Sequence, residues 1–321
     1  MATLKYSWYF VMIISALISC DKQRESVTTN SGNLDPVIYK NINRVKMFFG
    51  HQSVGYNILT GVRRIAPSLP VTELSGPIKM DSIPSGIIHL KIGRNGTPGS
   101  KISDFKKELI NNNFGAGVSV AAMKFCYVDF NEETDVKSLF TEYSSAIDSI
   151  KHRFPDLSIM HITVPLTTYA PRNLKQRIKF LFKPDLANIK RNEYNNMLRN
   201  TFQGKDAIFD LAASESKGPD GKKSTFTYKG KQYEALYAGY SFDGGHLNET
   251  GQIVAAQEFL AVLDKINIKV PEKALMTLTG FSYDNDAGNS RRIRFKFNSI
   301  VTARTFYQPL HLLILSGAKL K

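Results

Sequence analysis

Ser53, Asp243 and His246 are the residues of this 321-residue chain whose types and spacing point to covalent chemistry. A serine hydroxyl becomes a nucleophile when a histidine takes its proton and a carboxylate orients that histidine. Asp243 and His246 stand three apart across two glycines, within SFDGGHLNETG (241–251), so one rigid turn can present both side chains. Two plainer readings compete: Ser53 caps a helix, as serines often do, and the Asp-x-x-His pair merely closes a turn.

The elements around these residues favour chemistry. Residues 45–49 form an apolar run of strand length, Gly50 interrupts it, and Val54, Ile58, Leu59, Val62 and Ile65 then recur at helical spacing until Pro67. A strand, a sharp turn and a helix opening beside a serine expose the hydroxyl. The first-turn N–H groups and the positive helix end lie next to any anion formed there. After His246 a second helical pattern runs from Asn248 through Ile253, Phe259, Leu263 and Ile266.

Between these ends, strands are predicted at 86–92, 117–126, 157–164 and 207–211, and helical segments at 102–110 and 136–153. Their alternation predicts an α/β fold with a mostly parallel sheet covered on both faces. Its site would gather at the carboxyl ends of the strands, with Ser53, Gly99 and the Asp243–His246 turn. The glycine-rich stretch GRNGTPGS (93–100) lets backbone N–H groups approach a ligand. It lacks the Gly-Lys-Ser/Thr ending of a phosphate loop, so phosphate binding is the weaker reading.

Over residues 45–267 the order of these blocks resembles the SGNH/GDSL hydrolases, a family of flavodoxin-like α/β esterases, lipases and carbohydrate esterases. The matching stretches are FFGHQSVG, NGTPGS and DGGHLN. The resemblance implies Ser53 as nucleophile, His246 as base, Asp243 as its partner, and the N–H groups of Ser53 and Gly99 as an oxyanion hole. Two departures stand out. Gln52, with His51 beside it, replaces the aspartate that usually precedes the serine. The third block reads FCYVDF, without the asparagine that completes the oxyanion hole; Tyr127 or a backbone group is left to substitute. Loss of one such donor costs roughly 10²–10³ in rate if nothing replaces it.

The amino terminus belongs to targeting. Lys5 precedes an apolar stretch at 8–18 that is short for a membrane span, and LISC (17–20) resembles the bacterial lipobox. Cys20 is therefore the expected lipidation site, tethering an exported domain to a membrane surface. An ordinary secretory peptide and an uncleaved anchor are the alternatives. The expected organisation is a signal peptide (1–19), a polar tether (20–36), the hydrolase-like domain (37–270) and a carboxyl-terminal extension (271–321) without assigned function. In that extension Ile293, Phe295 and Phe297 alternate with Arg292, Arg294 and Lys296, a half-buried strand signal. With Cys20 lipidated, Cys126 is alone and reads as a buried thiol. His161 reads as a core residue, His51 as either site-tuning or turn-bonding. The other histidines lack ligand spacing, so neither metal nor cofactor is expected.

The net charge is +14. Residues 171–200 hold eight Lys/Arg against Asp185 and Glu193, a net +6. This stretch suits an acidic glycan or anionic headgroups, or else is a solvated helical excursion. No nucleic-acid partner is expected, because no stacking-aromatic pattern accompanies the charge. The reading as a whole is a membrane-tethered serine esterase acting on carbohydrate or other small esters. The rival is a surface lipoprotein that keeps the fold and binds glycans without cleaving them.

Overall fold

The structure, a computed structural model, describes residues 42–75, 83–169, 186–268, 278–285 and 291–297. Two compact units divide between Lys40 and Asn41. The first, with Cys20 and the stretches expected to be signal peptide and tether, lies outside the described residues, as do residues 171–185 of the basic stretch.

Six strands form one parallel sheet: β1 (Lys46–His51), β2 (Val71–Glu73), β3 (Gly86–Lys91), β4 (Val120–Met123), β5 (Ser158–Ile162) and β6 (Ala207–Phe209). Their order is β2-β3-β1-β4-β5-β6, every pair parallel. Without the edge strand β2 this is the flavodoxin order, whose chain reverses direction across the sheet between β1 and β4. Ligands of such sheets bind at that switch point, outside the carboxyl ends of the strands. Ser53 follows β1 and Tyr127 follows β4, so both stand there.

Helices cover both faces. On one lie α2 (Pro98–Lys106), α3 (Val136–Arg153) and α4 (Ala187–Phe202); on the other lie α1 (Val54–Ile65) and α6 (Glu249–Lys265). The continuous apolar run of β1 follows from this double burial. Phe48 stacks on Phe105 of α2 at 6.1 Å between ring centres, and Phe49 meets Phe259 of α6 on the opposite face at 5.7 Å. A short helix α5 (Leu211–Ser216) and a hairpin of β7 (Thr225–Tyr228) and β8 (Lys231–Glu234) lead into the Asp243–His246 turn. In the extension, β9 (Leu278–Asn285) and β10 (Arg291–Phe297) pair antiparallel, in line with the alternation at 292–297. Among the described residues no helix is long and apolar enough to cross a membrane.

Packing of α1 on α6 sets the distance between serine and histidine, because α1 starts after Ser53 and α6 just beyond His246. Gly61 makes the close approach possible: a β-carbon there would lie 2.1 Å from the Gln252 carbonyl oxygen and 2.8 Å from Ala256 Cβ. Gly61→Ala is expected to push the two helices apart and destabilise the fold by about 1–3 kcal/mol. Chemical denaturation checks this, and wild-type stability in the variant would refute the close packing.

Two cations of the basic stretch do not form the surface patch expected of it. Arg191, on α4, is buried and donates from Nε to the Tyr127 carbonyl (2.9 Å) and from Nη1 to Thr167 Oγ1 (2.9 Å) and Asn188 Oδ1 (2.6 Å). Arg199 pairs with Asp210 and Glu234. These two cations hold the fold together and do not face solvent as a glycan- or lipid-binding patch requires.

Candidate active site

The turn after β1 places Ser53 at φ 46°, ψ −110°, outside the regions that L-residues prefer. Backbone strain of this kind costs on the order of 1–3 kcal/mol and persists where surrounding packing enforces it. Ser53 occupies the cap position of α1, yet its side chain makes no capping hydrogen bond. Its Oγ lies 2.6 Å from His246 Nε2 instead. The simple cap is thereby excluded. The N–H groups of Gly55 and Tyr56 close back on the carbonyls of Gln52 and Ser53 (2.9 and 2.8 Å). Of the first-turn donors, those of Ser53 and Val54 are not used in this way.

The Asp-x-x-His segment is a turn built around its own carboxylate. Asp243 Oδ1 accepts the N–H groups of Gly245 (2.9 Å) and His246 (2.8 Å), and Oδ2 accepts Nδ1–H of the His246 ring at 2.6 Å. That short contact assigns the proton to Nδ1, which leaves the Nε2 lone pair facing the serine. Partial burial alone would raise the Asp243 carboxyl. The His246 ring and the two backbone N–H groups outweigh it and hold the carboxyl at about 2. It is ionised wherever an imidazole can act as a base. The two side chains remain 41% and 35% exposed, so water reaches this pair.

Three further contacts aim the turn. Asn57 of α1 accepts the Leu247 N–H at 3.1 Å across 190 residues, and the Thr168 N–H donates to the Gly244 carbonyl at 2.8 Å. Tyr127 sets its ring edge-on to the imidazole, with its hydroxyl 3.3 Å from Nδ1. The tyrosine ring occupies the space beside Gly245, where a β-carbon would stand 2.5 Å from Cζ; only glycine fits there. Tyr127 therefore reaches the site on the Asp243 side of the imidazole and braces the base. The Ser53 side, where a third oxyanion donor belongs, is the opposite one. Burial, then the charge of Asp243, raises its phenol above the usual value and keeps it protonated.

Gln52 ties the serine turn to the glycine-rich loop, donating from Nε2 to the carbonyls of Ile92 (3.2 Å) and Gly93 (2.9 Å). Asp129 ties the same loop to the end of β4. It accepts the Gly96 N–H (2.8 Å) and the Cys126 N–H (2.6 Å) and forms a fully buried ion pair with Lys101. Gly99 stands in the first turn of α2, and a β-carbon there would meet Glu142 Oε1 at 3.3 Å. Its N–H is one of the donors a helix start leaves free.

His51 lies beneath the turn, fully buried, with Nε2 3.1 Å from His89 Nδ1. Burial first, and then His89 and Lys124, lower its value to about 2; burial lowers that of His89 to about 4. The pair shares its proton as two neutral rings, and the hydrogen bond of His51 goes to His89. His161 is a satisfied core residue between Tyr143 (2.8 Å) and Asp206 (3.2 Å), and Cys126 is buried. Asn57, Lys101, Asp129 and Thr168 escaped sequence reasoning. Each is a common residue type whose partner is distant in the chain, and none carries a spacing signal.

Cavities of about 850 Å³ and 480 Å³ open at the amino ends of β5 and β6 and below β4, on the far edge of the sheet. Neither is lined by Ser53, Asp243 or His246. The candidate site lies at the carboxyl edge instead, where the Asp243 and His246 side chains are partly exposed.

No family model matches the sequence, and no curated protein matches it. Solved structures similar to the chain include Axe2, an acetylxylan esterase from Geobacillus stearothermophilus, at 11% identity over 71% of this chain and 98% of that one, with a TM-score of 0.40. A lipase/acylhydrolase from Enterococcus faecalis is 12% identical over 68% of this chain and 95% of that one, TM-score 0.39. The acetyl xylan esterase AlAXEase is 14% identical over 68% and 100%, TM-score 0.39.

Proposed function

We propose that the protein is a serine esterase of SGNH type that cleaves carbohydrate or other small esters through an acyl-enzyme. One observation carries this reading: the unbroken chain from Ser53 Oγ to His246 Nε2 and from Nδ1 to Asp243 Oδ2, each link 2.6 Å.

His246 takes the Ser53 proton as Oγ attacks the ester carbonyl carbon, and the carbonyl oxygen becomes an oxyanion. The N–H groups of Ser53 and Gly99 are its proposed donors, at the positive ends of α1 and α2. The tetrahedral adduct collapses, the C–O bond to the alcohol breaks, and the leaving oxygen takes the proton from His246. A water then gives its proton to His246 and attacks the acyl carbon; as the bond to Oγ breaks and the acid leaves, His246 returns the proton to Ser53 Oγ. Asp243 holds the Nδ1–H tautomer throughout and stays ionised. The Asn57 and Tyr127 contacts keep the imidazole aimed during both proton transfers.

The purified protein is expected to hydrolyse 4-nitrophenyl acetate with turnover. Folded protein that binds glycans but leaves activated acetate esters intact would instead support the binding lipoprotein, for which the absent asparagine of the third block speaks.

We also propose that the enzyme is an exported lipoprotein held at a membrane by lipid on Cys20. The support is LISC after an apolar stretch at 8–18. Cys20→Ala is expected to move the protein from the membrane to the soluble fraction, and an unmodified Cys20 in the mature protein by mass spectrometry would refute the anchor.

A further inference from the structure

Two large apolar side chains stand exposed among the described residues, Phe242 at 62% and Val128 at 46%. Neither is scattered at random. Phe242 immediately precedes the carboxylate Asp243, and Val128 immediately follows Tyr127, which braces the base. The Phe242 ring lies nearly parallel to the His246 imidazole, 13° between planes and 6.4 Å between centres. An aromatic ring left in water beside a reactive group is more informative than one in a core, because burial does not explain its presence.

The chemistry gives this ring a side. In the reading proposed above, on which this inference rests, Nε2 of His246 hands its proton to the departing alcohol. The alcohol oxygen must therefore come within hydrogen-bond distance of Nε2. The atoms attached to that oxygen extend along the imidazole, where Phe242 offers a flat apolar face. The acyl carbon, by contrast, sits at Ser53 Oγ. Among the described residues, Phe242 offers one flat apolar face to a partner at His246, with 62% of its surface in water. A pyranoside ring, with C–H bonds on one face and hydroxyls around its edge, meets both conditions: it stacks on the phenyl ring and leaves its hydroxyls in water.

We propose that Phe242 forms the subsite for the alcohol half of the ester and selects pyranoside alcohols by stacking. Kinetics with an acetylated methyl pyranoside and with methyl acetate test this. Methyl acetate carries the same acyl group but an alcohol too small to reach the ring. Phe242→Ala is expected to lower the ratio of kcat/KM for the pyranoside acetate to that for methyl acetate by about 10–100-fold, the range of a lost apolar contact in substrate discrimination. Phe242→Trp should restore the ratio. Equal losses on both substrates would mean that Phe242 only supports His246, and a change confined to acyl-chain preference would place it on the wrong side of the ester. Either result overturns the subsite.

A second arm separates this inference from the esterase reading. Binding of the unesterified methyl pyranoside to the Ser53→Ala protein, read by saturation-transfer NMR, should vanish in Ser53→Ala/Phe242→Ala. If that binding is seen while no ester is ever cleaved, the esterase reading fails and the stacking site stands. If esters are cleaved and Phe242→Ala leaves both binding and the substrate ratio intact, the stacking site fails and the esterase stands.

Discussion

Ser53→Ala and His246→Ala are each expected to remove nearly all ester hydrolysis, by roughly 10⁴–10⁶-fold in kcat. The serine supplies the bond-forming oxygen and the histidine the base in contact with it, at 2.6 Å. Neither can act without the other, so the double variant should lose little more than either single one. Steady-state rates with an activated acetate ester measure all three. Because Ser53 holds a strained backbone at φ 46°, alanine at this position gains nothing conformationally, and the comparison reports chemistry. Full activity in Ser53→Ala would remove this serine from the mechanism. Multiplicative losses in the double variant would show the two residues working independently.

Asp243→Asn is expected to cost about 10⁴-fold in kcat, although it replaces one atom. The carboxylate accepts Nδ1–H; an amide can turn its NH₂ toward that nitrogen and stabilise the opposite tautomer, whose Nε2–H cannot accept the serine proton. With the Asp243 side chain 41% exposed, water competes for the imidazole, so the loss should not exceed that figure. The same variant has an acid signature. The folded carboxyl is held at about 2, below its ordinary 3.8, so its contribution to stability is present above about pH 4 and is lost as the pH falls toward 2. Denaturation at pH 5 and pH 2.5 should show a smaller acid penalty in Asp243→Asn than in the wild type. An unchanged penalty would mean that the carboxylate gains nothing from the turn.

Much of this site was legible because its signals are local. Met47, Phe48 and Phe49 are buried on both sides of β1, and the α1 face repeats at helical spacing, so the strand–serine–helix unit shows in sequence. The Asp-x-x-His turn is legible for the same reason, since its hydrogen bonds span three residues. Helix α4 has no apolar periodicity to mark it, because the face it buries is largely polar: Asn188, Arg191 and Asn195 satisfy the loops after β4 and β5, and Asn192 the end of β8. Hydrophobic periodicity is silent about such a helix. The strand expected at 117–126 shrinks to Val120–Met123, because the chain beyond it turns to bring Cys126 and Asp129 against the glycine-rich loop. Strand β2 is three residues long at the sheet edge, held by pairing with β3, and leaves no run to detect. The contacts that aim the catalytic groups across the chain, Asn57 to Leu247 and Gln52 to Gly93, depend on tertiary proximity and have no sequence pattern.

The central claim is that Ser53 is an activated nucleophile facing a site for a negative oxygen. A serine-directed fluorophosphonate needs both properties and no knowledge of the natural substrate. Incubation at neutral pH followed by peptide mapping should place one adduct on Ser53. The adduct should be absent in Ser53→Ala and in His246→Ala. Folded wild-type protein that stays unlabelled, or an adduct that persists in His246→Ala, would contradict the account.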